Sequence, residues 1–354
     1  METPLKSEHL AAKAQLIEAN GCVLPETFAG FESEYRAARE GAALLDTNWH
    51  AITVLAGPDR VRYLNAIVTN SVQALQHGRG CLALLLSAQG RIQTEFEIYS
   101  LPEKLLLLSH VSVRERTNEL LDKYIIMDDV RMEDETDHMG SVALEGPHAF
   151  SIVEQACGVS LESLPELAIV DTNVVHTPCH LIRRSHYGRP GAEFVTRRDR
   201  LPSLWRTFQH AIRVHDGAPV GMAALNALRL EAGIPWFPVD FNDRVIPHEA
   251  ALESTHISFS KGCYTGQEIV ERVRSRGHVN RVRVGLKFTT IEPPKIGARL
   301  RAGTEEVGIV TSAAMSPAAG SPIGMGYLRV EQAKPGTDVE CEDGLAQVTI
   351  FPEK

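Results

Sequence analysis

The sequence predicts an α+β protein with two successive β-α-β-β-α-β units and a small β-barrel or sandwich at its C-terminal end. Three observations predict this fold. A strand-turn-helix pattern occurs twice, apolar and polar residues alternate strictly from Val282 onward, and 354 residues suffice for two or three domains. The 44% of hydrophobic and 23% of charged residues are typical of a globular chain.

The repeated pattern joins a strand to a helix through a Gly-Pro turn. In the first copy, a strand over residues 51–55 ends at Gly57-Pro58-Asp59, and a helix over residues 60–70 follows. The second copy runs through Gly146-Pro147-His148 into a helix over residues 149–156. Further strands are predicted over residues 81–86, 92–99, 104–109, 174–177, 180–184 and 193–196, and further helices over residues 7–19, 113–124 and 201–212.

The last part of the chain changes to a period of two. Val282, Val284, Leu286 and Phe288 alternate with polar residues or glycine, which indicates a half-buried strand. Other short strands are expected over residues 298–301, 306–311, 324–330, 338–342 and 346–351. We therefore predict three domains, over residues 1–137, 138–278 and 279–354.

Composition excludes several classes of partner. The formal net charge of −9 makes generic binding to nucleic acid or to an anionic membrane unfavourable. The N-terminal residues lack the basic and apolar pattern of a secretion signal, and no apolar run approaches the length of a membrane span, so we expect a cytoplasmic protein. The six cysteines form no CxxC pair, and we therefore predict no metal site.

The segment Lys261-Gly262-Cys263-Tyr264-Thr265-Gly266-Gln267-Glu268 has the strongest chemical signal. Thr265 and Glu268 have the spacing of a capping box, which predicts a helix that begins just after Tyr264. A thiol immediately before a helix N-terminus, with Lys261 nearby, is favoured as a thiolate, so Cys263 is a candidate reactive residue. The alternative is a buried cysteine beside a structural cap.

Arginines provide further candidates. Arg229 lies near the end of a helix that Gly233 and Pro235 terminate, where it can bind a ligand carboxylate or form a structural ion pair. A basic run can attract an anionic ligand or partner, or it can be a solvated surface. Its members are Arg272, Arg274, Arg276, His278, Arg281 and Arg283. We interpret His248 and His256 as structural.

Three segments together resemble the folate-binding GcvT/YgfZ superfamily. They are Leu228-Arg229-Leu230-Glu231-Ala232-Gly233-Ile234-Pro235 with the downstream Asp240, Ile246-Pro247-His248-Glu249, and the segment from Lys261 to Glu268, which resembles the mark of the YgfZ branch. The resemblance implies a three-domain ring of two ferredoxin-like units and a C-terminal barrel around a central channel. It also implies that this channel binds tetrahydrofolate, with or without a polyglutamate tail.

The resemblance assigns roles to individual residues. Where the aminomethyltransferase branch has two aspartates, this chain has Thr94 and Glu95, so Glu95 is the remaining candidate proton acceptor. Glu193 is expected at the pterin edge, and Arg229 at a carboxylate or in the channel wall. Within the signature segment, Cys263 and Lys261 are the expected functional pair, and Tyr264, Gln267 and Glu268 are expected folate contacts.

These assignments lead to a main hypothesis and two alternatives. The main one is a tetrahydrofolate-binding accessory protein that supports assembly or repair of iron-sulfur clusters in client enzymes, with Cys263 as the functional thiol. Because Thr94 and Arg189 replace acidic residues of the transferase pattern, the chain is not expected to be a conventional aminomethyltransferase. The alternatives are a folate-dependent aminomethyltransferase or demethylase, which Glu95 allows, and a protein that only stores folate.

Overall fold

The computed structural model describes residues 1–342 and 344–351. It contains a five-stranded sheet, a six-stranded sheet, a closed six-stranded barrel and a separate two-stranded hairpin. The predicted mixture of helices and sheets with a C-terminal barrel is therefore confirmed. Within the described residues, no helix combines the length and the hydrophobicity that a membrane crossing requires.

The elements are numbered in chain order. The helices are α1 (Lys6–Ala11), α2 (Phe31–Glu40), α3 (Arg60–Ile67), α4 (Arg114–Tyr124), α5 (Ala149–Cys157), α6 (Leu201–Arg213), α7 (Met222–Glu231), α8 (Glu253–His256) and α9 (Gln267–Arg276). The strands before the barrel are β1 (Gln15–Ala19), β2 (Cys22–Thr27), β3 (Ala43–Asp46), β4 (His50–Ala56), β5 (Gly80–Leu86), β6 (Ile92–Ser100), β7 (Lys104–His110), β8 (Arg131–Asp134), β9 (Met139–Glu145), β10 (Ile169–Val174), β11 (Thr177–Arg183), β12 (Gly191–Arg197) and β13 (Ala218–Pro219). The barrel strands are β14 (Arg281–Phe288), β15 (Arg299–Ala302), β16 (Glu305–Ser316), β17 (Ser321–Arg329), β18 (Asp338–Cys341) and β19 (Gly344–Thr349).

The first four strands of the two large sheets follow one order, and the second sheet has β3 as an additional strand. The first sheet has the order β5-β6-β7-β4-β8, and the second has β10-β11-β12-β9-β3-β13. In each, the strand before the Gly-Pro turn is inside the sheet, and the glycine has a positive φ, 101° at Gly57 and 134° at Gly146. A side chain at either glycine would meet a backbone carbonyl oxygen, so both turns require glycine.

Two features of the units differ from the predicted pattern. Three hairpin-connected strands lie between the helices of each unit, in agreement with the individually predicted strands but not with the two of a β-α-β-β-α-β unit. In addition, β3 comes from the predicted first domain but pairs with β9 and β13 of the second sheet. The predicted boundary between residues 137 and 138 therefore does not separate the two sheets, because the N-terminal segment completes the second one.

Apolar side chains form the core between the two sheets. Helices α3 and α4 cover one face of the first sheet, and α5 and α6 cover one face of the second. The remaining faces pack against each other through buried residues of both sheets, which exclude water from the interface. These residues are Ile52, Val54, Tyr99, Leu101, Leu106, Leu108, Ile169, Ile182 and Val195.

Three local predictions are wrong for identifiable reasons. The helix predicted over residues 7–19 ends at Ala11, because residues 15–19 form β1 and pair with β2 around an Asn20-Gly21 turn. The strand predicted over residues 174–177 contains a turn, since Val175 and His176 both have positive φ. Helix α9 begins at Gln267 and not just after Tyr264, because Gly266 has a left-handed conformation, and no side chain caps this helix.

A buried ion pair attaches the barrel to α7. Arg229 on α7 is 1% exposed, and its Nη1 donates to Asp240 Oδ2. The other carboxylate oxygen of Asp240 accepts hydrogen bonds from Thr311 and Ser312 of β16. Because Tyr327 of β17 also donates to the backbone carbonyl of Asp240 over 2.8 Å, this single residue joins the barrel to the rest of the chain.

Replacing Asp240 should destabilise the protein strongly. Asp240→Asn leaves the buried Arg229 cation without its partner, so we expect the free energy of unfolding to fall by about 3–5 kcal/mol in urea denaturation. Burial disfavours ionisation of Asp240, but Arg229 and the Ser312 hydroxyl favour it more, and the net effect lowers its pKa. The stabilisation is therefore present above about pH 4 and is lost as the pH falls through the folded pKa. The difference between wild type and variant should shrink in that acidic range, and a constant difference would contradict this account.

Candidate functional site

Two adjoining cavities lie where the sheets, α7 and the barrel meet. The inner cavity, of about 100 Å³, has apolar walls and a charged end. Its apolar wall residues include Leu24, Trp49, Leu108, Met222, Trp236 and Phe237. The outer cavity, of about 1050 Å³, shares Glu95, Arg184, Ile234 and Pro235 with it. Together they have the size and the mixed lining of a small-molecule site.

Strand alternation decides which acidic residues face the cavities. On β6, Glu95, Glu97 and Tyr99 occupy one face, because side chains two residues apart point the same way. Thr94 occupies the opposite face, where its hydroxyl lies 2.7 Å from the hydroxyl of Thr117 and is buried. Of the two positions singled out in the sequence, only Glu95 therefore reaches a cavity.

Glu95 forms a hydrogen-bonded pair with His256 in the wall shared by both cavities. His256 is buried, and its Nε2 lies 2.9 Å from Glu95 Oε1, while its Nδ1 lies 2.7 Å from the Thr255 hydroxyl. When Glu95 is ionised, Nε2 donates to it and Nδ1 accepts from Thr255. The side chain of Glu95 is 25% exposed, so it can also reach a bound ligand. This geometry suits a carboxylate that accepts a proton or stabilises a positive charge.

A second acid, Glu97, pairs with Arg184 at the charged end of the inner cavity. Arg184 Nε donates to Glu97 Oε1 over 2.7 Å, and the Tyr99 hydroxyl donates to Glu97 Oε2 over 2.6 Å. Burial disfavours the charge on Glu97, but Arg184 and His50 favour it more, so the pKa of Glu97 is lowered. Glu97 therefore remains a carboxylate at neutral pH.

A third acid, Glu193, lies behind two histidines. It is fully buried, with His50 Nε2 at 3.4 Å and His186 Nε2 at 3.3 Å from its two oxygens, although neither imidazole is aligned for a hydrogen bond. Burial would raise the pKa of Glu193, but the two histidines hold it well below its usual value. Because His50 and His186 line the inner cavity, a pterin there would meet these imidazoles before it reached Glu193.

The loop that holds His186 is organised by another buried acid. Glu145, at the end of β9, accepts backbone N–H hydrogen bonds from His186, Tyr187 and Arg189 over 2.6–3.0 Å. It also accepts a hydrogen bond from the Ser185 hydroxyl over 2.7 Å. These four hydrogen bonds hold the loop against Glu145. The loop in turn forms part of the outer cavity wall.

Arg229 is not free to bind a ligand. Its Nε and Nη2 donate to Asn226 Oδ1 over 2.9 and 2.8 Å, and its Nη1 donates to Ile234 O and Asp240. Its guanidinium also lies over the Trp236 ring. We therefore interpret Arg229 as the structural ion pair that was one of its two predicted roles.

Lys261 caps the end of α3. Its Nζ donates to the backbone carbonyl oxygens of Asn65, in the last turn of that helix, and of Val68 and Asn70, which follow it. Burial lowers the pKa of Lys261 to about 8. Tyr264 is buried nearby in an apolar cluster, with its ring 5.0 Å from Lys261 Nζ. Both residues stabilise the packing of this segment.

Three further residues of the signature segment lie away from the two cavities. Cys263 is exposed and precedes the first residue of α9 by four positions, so it is not at the helix N-terminus. Gln267 is half-buried on the first turn of α9. Glu268 is exposed and pairs with Arg272 over 2.7 Å. None of the three lines either cavity.

Most of the ionisable residues at the cavities were not among the predicted site residues, and His256 was interpreted as structural. They are His50, Glu97, Arg184, His186 and His256. A signal existed for Glu97, because it lies two residues after Glu95 on a predicted strand and must share its face. His256 gave no such signal, since its partner Glu95 is 161 residues away in sequence.

Family models match almost the whole chain. The model of the GCVT N-terminal domain matches residues 5–261, and that of the Glycine cleavage T-protein C-terminal barrel domain matches residues 281–351. The chain belongs to the GCVT family. The resemblance seen in the sequence is thus confirmed at the level of the superfamily.

Similar proteins of the GCVT family cover nearly the full length. A protein of Rubrobacter xylanophilus named Aminomethyltransferase is 29% identical over 99% of this chain and 92% of its own. A protein of Halothermothrix orenii with the same name is 27% identical over 96% of this chain and 94% of its own. The crystal structure of glycine cleavage system aminomethyltransferase T from Bartonella henselae has a TM-score of 0.91 at 23% identity, covering 99% of this chain and 97% of that one, which shows a common fold.

These relatives overturn two predictions. The accessory role in iron-sulfur cluster assembly is wrong as the main function, and so is the expectation that the chain is not a conventional aminomethyltransferase, because full-length relatives in the GCVT family bear that name. The structure supplies the physical reason for the error. Thr94 faces the core, and Glu95 presents a carboxylate to the cavities, so the loss of an acid at Thr94 does not remove the carboxylate from the site.

The imidazole of His50 should titrate above its ordinary value. Burial lowers the pKa of His50, but the Glu193 carboxylate raises it more, and the net shift from 6.5 is upward. In Glu193→Gln the imidazole loses its attraction to the carboxylate while it stays buried. The pKa of His50 should therefore fall below 6.5 in an NMR titration. Glu231→Gln, on α7 and remote from these histidines, is the control. An unchanged His50 pKa in Glu193→Gln would refute the pairing.

Proposed function

We propose that this protein is a tetrahydrofolate-dependent aminomethyltransferase, which passes the carbon of an aminomethyl group to tetrahydrofolate and releases the nitrogen as ammonia. The names of its full-length relatives support this activity. The single observation on which the proposal depends is the Glu95–His256 pair, which presents a carboxylate in the wall shared by both cavities.

The walls of the inner cavity fit a flat, polar-edged ring such as a pterin. Trp49, Trp236 and Phe237 offer aromatic faces, while His50 and His186 supply polar groups at the charged end. The carboxylate of Glu193 lies 3.4 Å from the His50 imidazole and 3.3 Å from that of His186. We propose that Glu193 acts on the ligand through the histidines and makes no direct contact with it.

Glu95 would serve the transfer step in two ways. One nitrogen of tetrahydrofolate bonds to the carbon of an aminomethyl thioether as the original carbon–nitrogen bond breaks and ammonia leaves. A second nitrogen then bonds to the same carbon as the carbon–sulfur bond breaks, and the donor leaves as a thiol. Each attacking nitrogen gains positive charge and then loses a proton. A carboxylate next to it stabilises the charge and can accept the proton. His256 holds Glu95 in place and, because it is buried, restricts the carboxylate to one orientation.

Several finer features remain part of this proposal. The Lys-Gly-Cys-Tyr-x-Gly-Gln-Glu string supports placement in the YgfZ branch of the superfamily. We also propose the ring arrangement of the three domains, a polyglutamylated form of the folate and a cytoplasmic location. Tyr264, Gln267 and Glu268 are weaker candidates for folate contacts than the residues of the cavity walls, since they line neither cavity.

Two substitutions test the proposed reaction. Glu95→Gln keeps the shape of the side chain but removes its charge, so we expect the rate of methylenetetrahydrofolate formation from an aminomethyl thioether donor to fall at least about 100-fold. Cys263→Ala is the matched control, and its rate should stay within about twofold of the wild type because Cys263 lies outside the cavities. Anaerobic calorimetric titration with tetrahydrofolate should show binding by all three proteins.

The opposite pattern would contradict the proposal. If Cys263→Ala lost activity and Glu95→Gln kept it, the thiol and not the carboxylate would be the functional group. If the wild type bound tetrahydrofolate but transferred no carbon, the protein would be a folate-binding protein without this activity.

A further inference from the structure

The structure divides the basic run of the sequence into two kinds of arginine. Arg272 and Arg274 are exposed on α9 and pair with Glu268 and Glu271, and Arg281 pairs with Glu249 over 3.1 Å. Arg283, only two residues further along β14, is 7% exposed and lines the outer cavity. One member of the run is therefore buried at a possible ligand site.

Within the described residues, the groups that the Arg283 guanidinium contacts directly are uncharged. Its Nε donates to Ala250 O over 2.9 Å, and its Nη1 lies 3.5 Å from the sulfur of Met325. The guanidinium carbon is 4.6 Å from the centroid of the Phe351 ring. In the part of the chain that the structure describes, no carboxylate lies within 4 Å of Arg283, and no acceptor binds its Nη2.

Among the described residues, no carboxylate pairs directly with the positive charge of Arg283. Arg229 contacts the same sulfur of Met325 from the other side, at 3.8 Å, but Arg229 has Asp240 as its partner. Burial lowers the pKa of Arg283, while the more distant Asp240 and Glu253 raise it by a smaller amount. Aromatic and sulfur contacts stabilise a guanidinium without neutralising it. A buried charge is costly unless it is paired, so this arrangement favours an anionic ligand.

We infer that Arg283 binds the glutamate carboxylate of tetrahydrofolate, an inference that depends on the folate-binding part of the proposed function. Glu95, His256, Arg283 and Phe351 all line the outer cavity. A ligand whose reacting ring lies at Glu95 can therefore extend its anionic end to Arg283. The planar guanidinium matches a carboxylate, and its unused Nη2 provides a donor for it.

The test compares two ligands that differ only in the glutamate. Anaerobic calorimetry measures the Kd of tetrahydrofolate and of tetrahydropteroate, which lacks the glutamate, for the wild type, Arg283→Gln and Arg281→Gln. A charge-assisted pair predicts that the wild type prefers tetrahydrofolate by about 10- to 100-fold. Arg283→Gln should lose this preference and keep its affinity for tetrahydropteroate. Arg281→Gln, the matched exposed neighbour, should keep the preference.

Each outcome separates this inference from the proposed function. If the wild type binds neither ligand, both fail. If it binds the two equally, or if Arg283→Gln keeps the preference, the inference is overturned and the folate site stands. Should Arg283→Gln not fold, equal binding of the two ligands by the wild type would still overturn the inference, and Arg283→Lys, which keeps the charge but not the planar fork, should retain only part of the preference.

Discussion

The buried pair of Arg229 and Asp240 determines the geometry on which the site depends. Asp240 holds the barrel through hydroxyl groups of β16, while Arg229 holds the chain segment that follows α7 through Ile234 and Trp236. That segment supplies walls of both cavities. Because both charges are withdrawn from water, either one alone would be strongly unfavourable, so the barrel and α7 are held together as one unit.

The charged residues at the cavities follow a common rule. The two sheets pack through apolar side chains, and at one end of that interface each acid faces a basic group. Glu97 faces Arg184, Glu193 faces His50 and His186, and Glu95 faces His256. Such pairs hold these side chains in fixed orientations before any ligand arrives, which is the preorganisation that electrostatic catalysis requires. Arg283 is a buried cation in the wall of the outer cavity, and in the described part of the chain no carboxylate lies within 4 Å of it.

The prediction against aminomethyltransferase activity was wrong because it did not consider which face of the strand each residue occupies. A motif comparison treats Thr94 and Glu95 as two equal substitutions, whereas on a strand they point to opposite faces. The residue that changed chemical type faces the core, and the residue that kept its carboxylate faces the cavities. Likewise, Cys263 was predicted to be reactive because the sequence indicated a helix beginning just after Tyr264. Gly266 has a left-handed conformation, so the helix begins only at Gln267, and the exposed thiol lies outside the cavities.

The sequence by itself determined the elements whose signals are local. Period-two alternation identified β14 and the barrel, and the Gly-Pro turns identified the repeated unit, since these patterns depend on neighbouring residues. Only the tertiary structure decided which distant residues meet. It brought β3 into the second sheet, paired His256 with Glu95, and buried Arg283 while it left Arg281 exposed. The physical reason is that burial and pairing of charge are set by contacts between segments far apart in the chain, which no local pattern encodes.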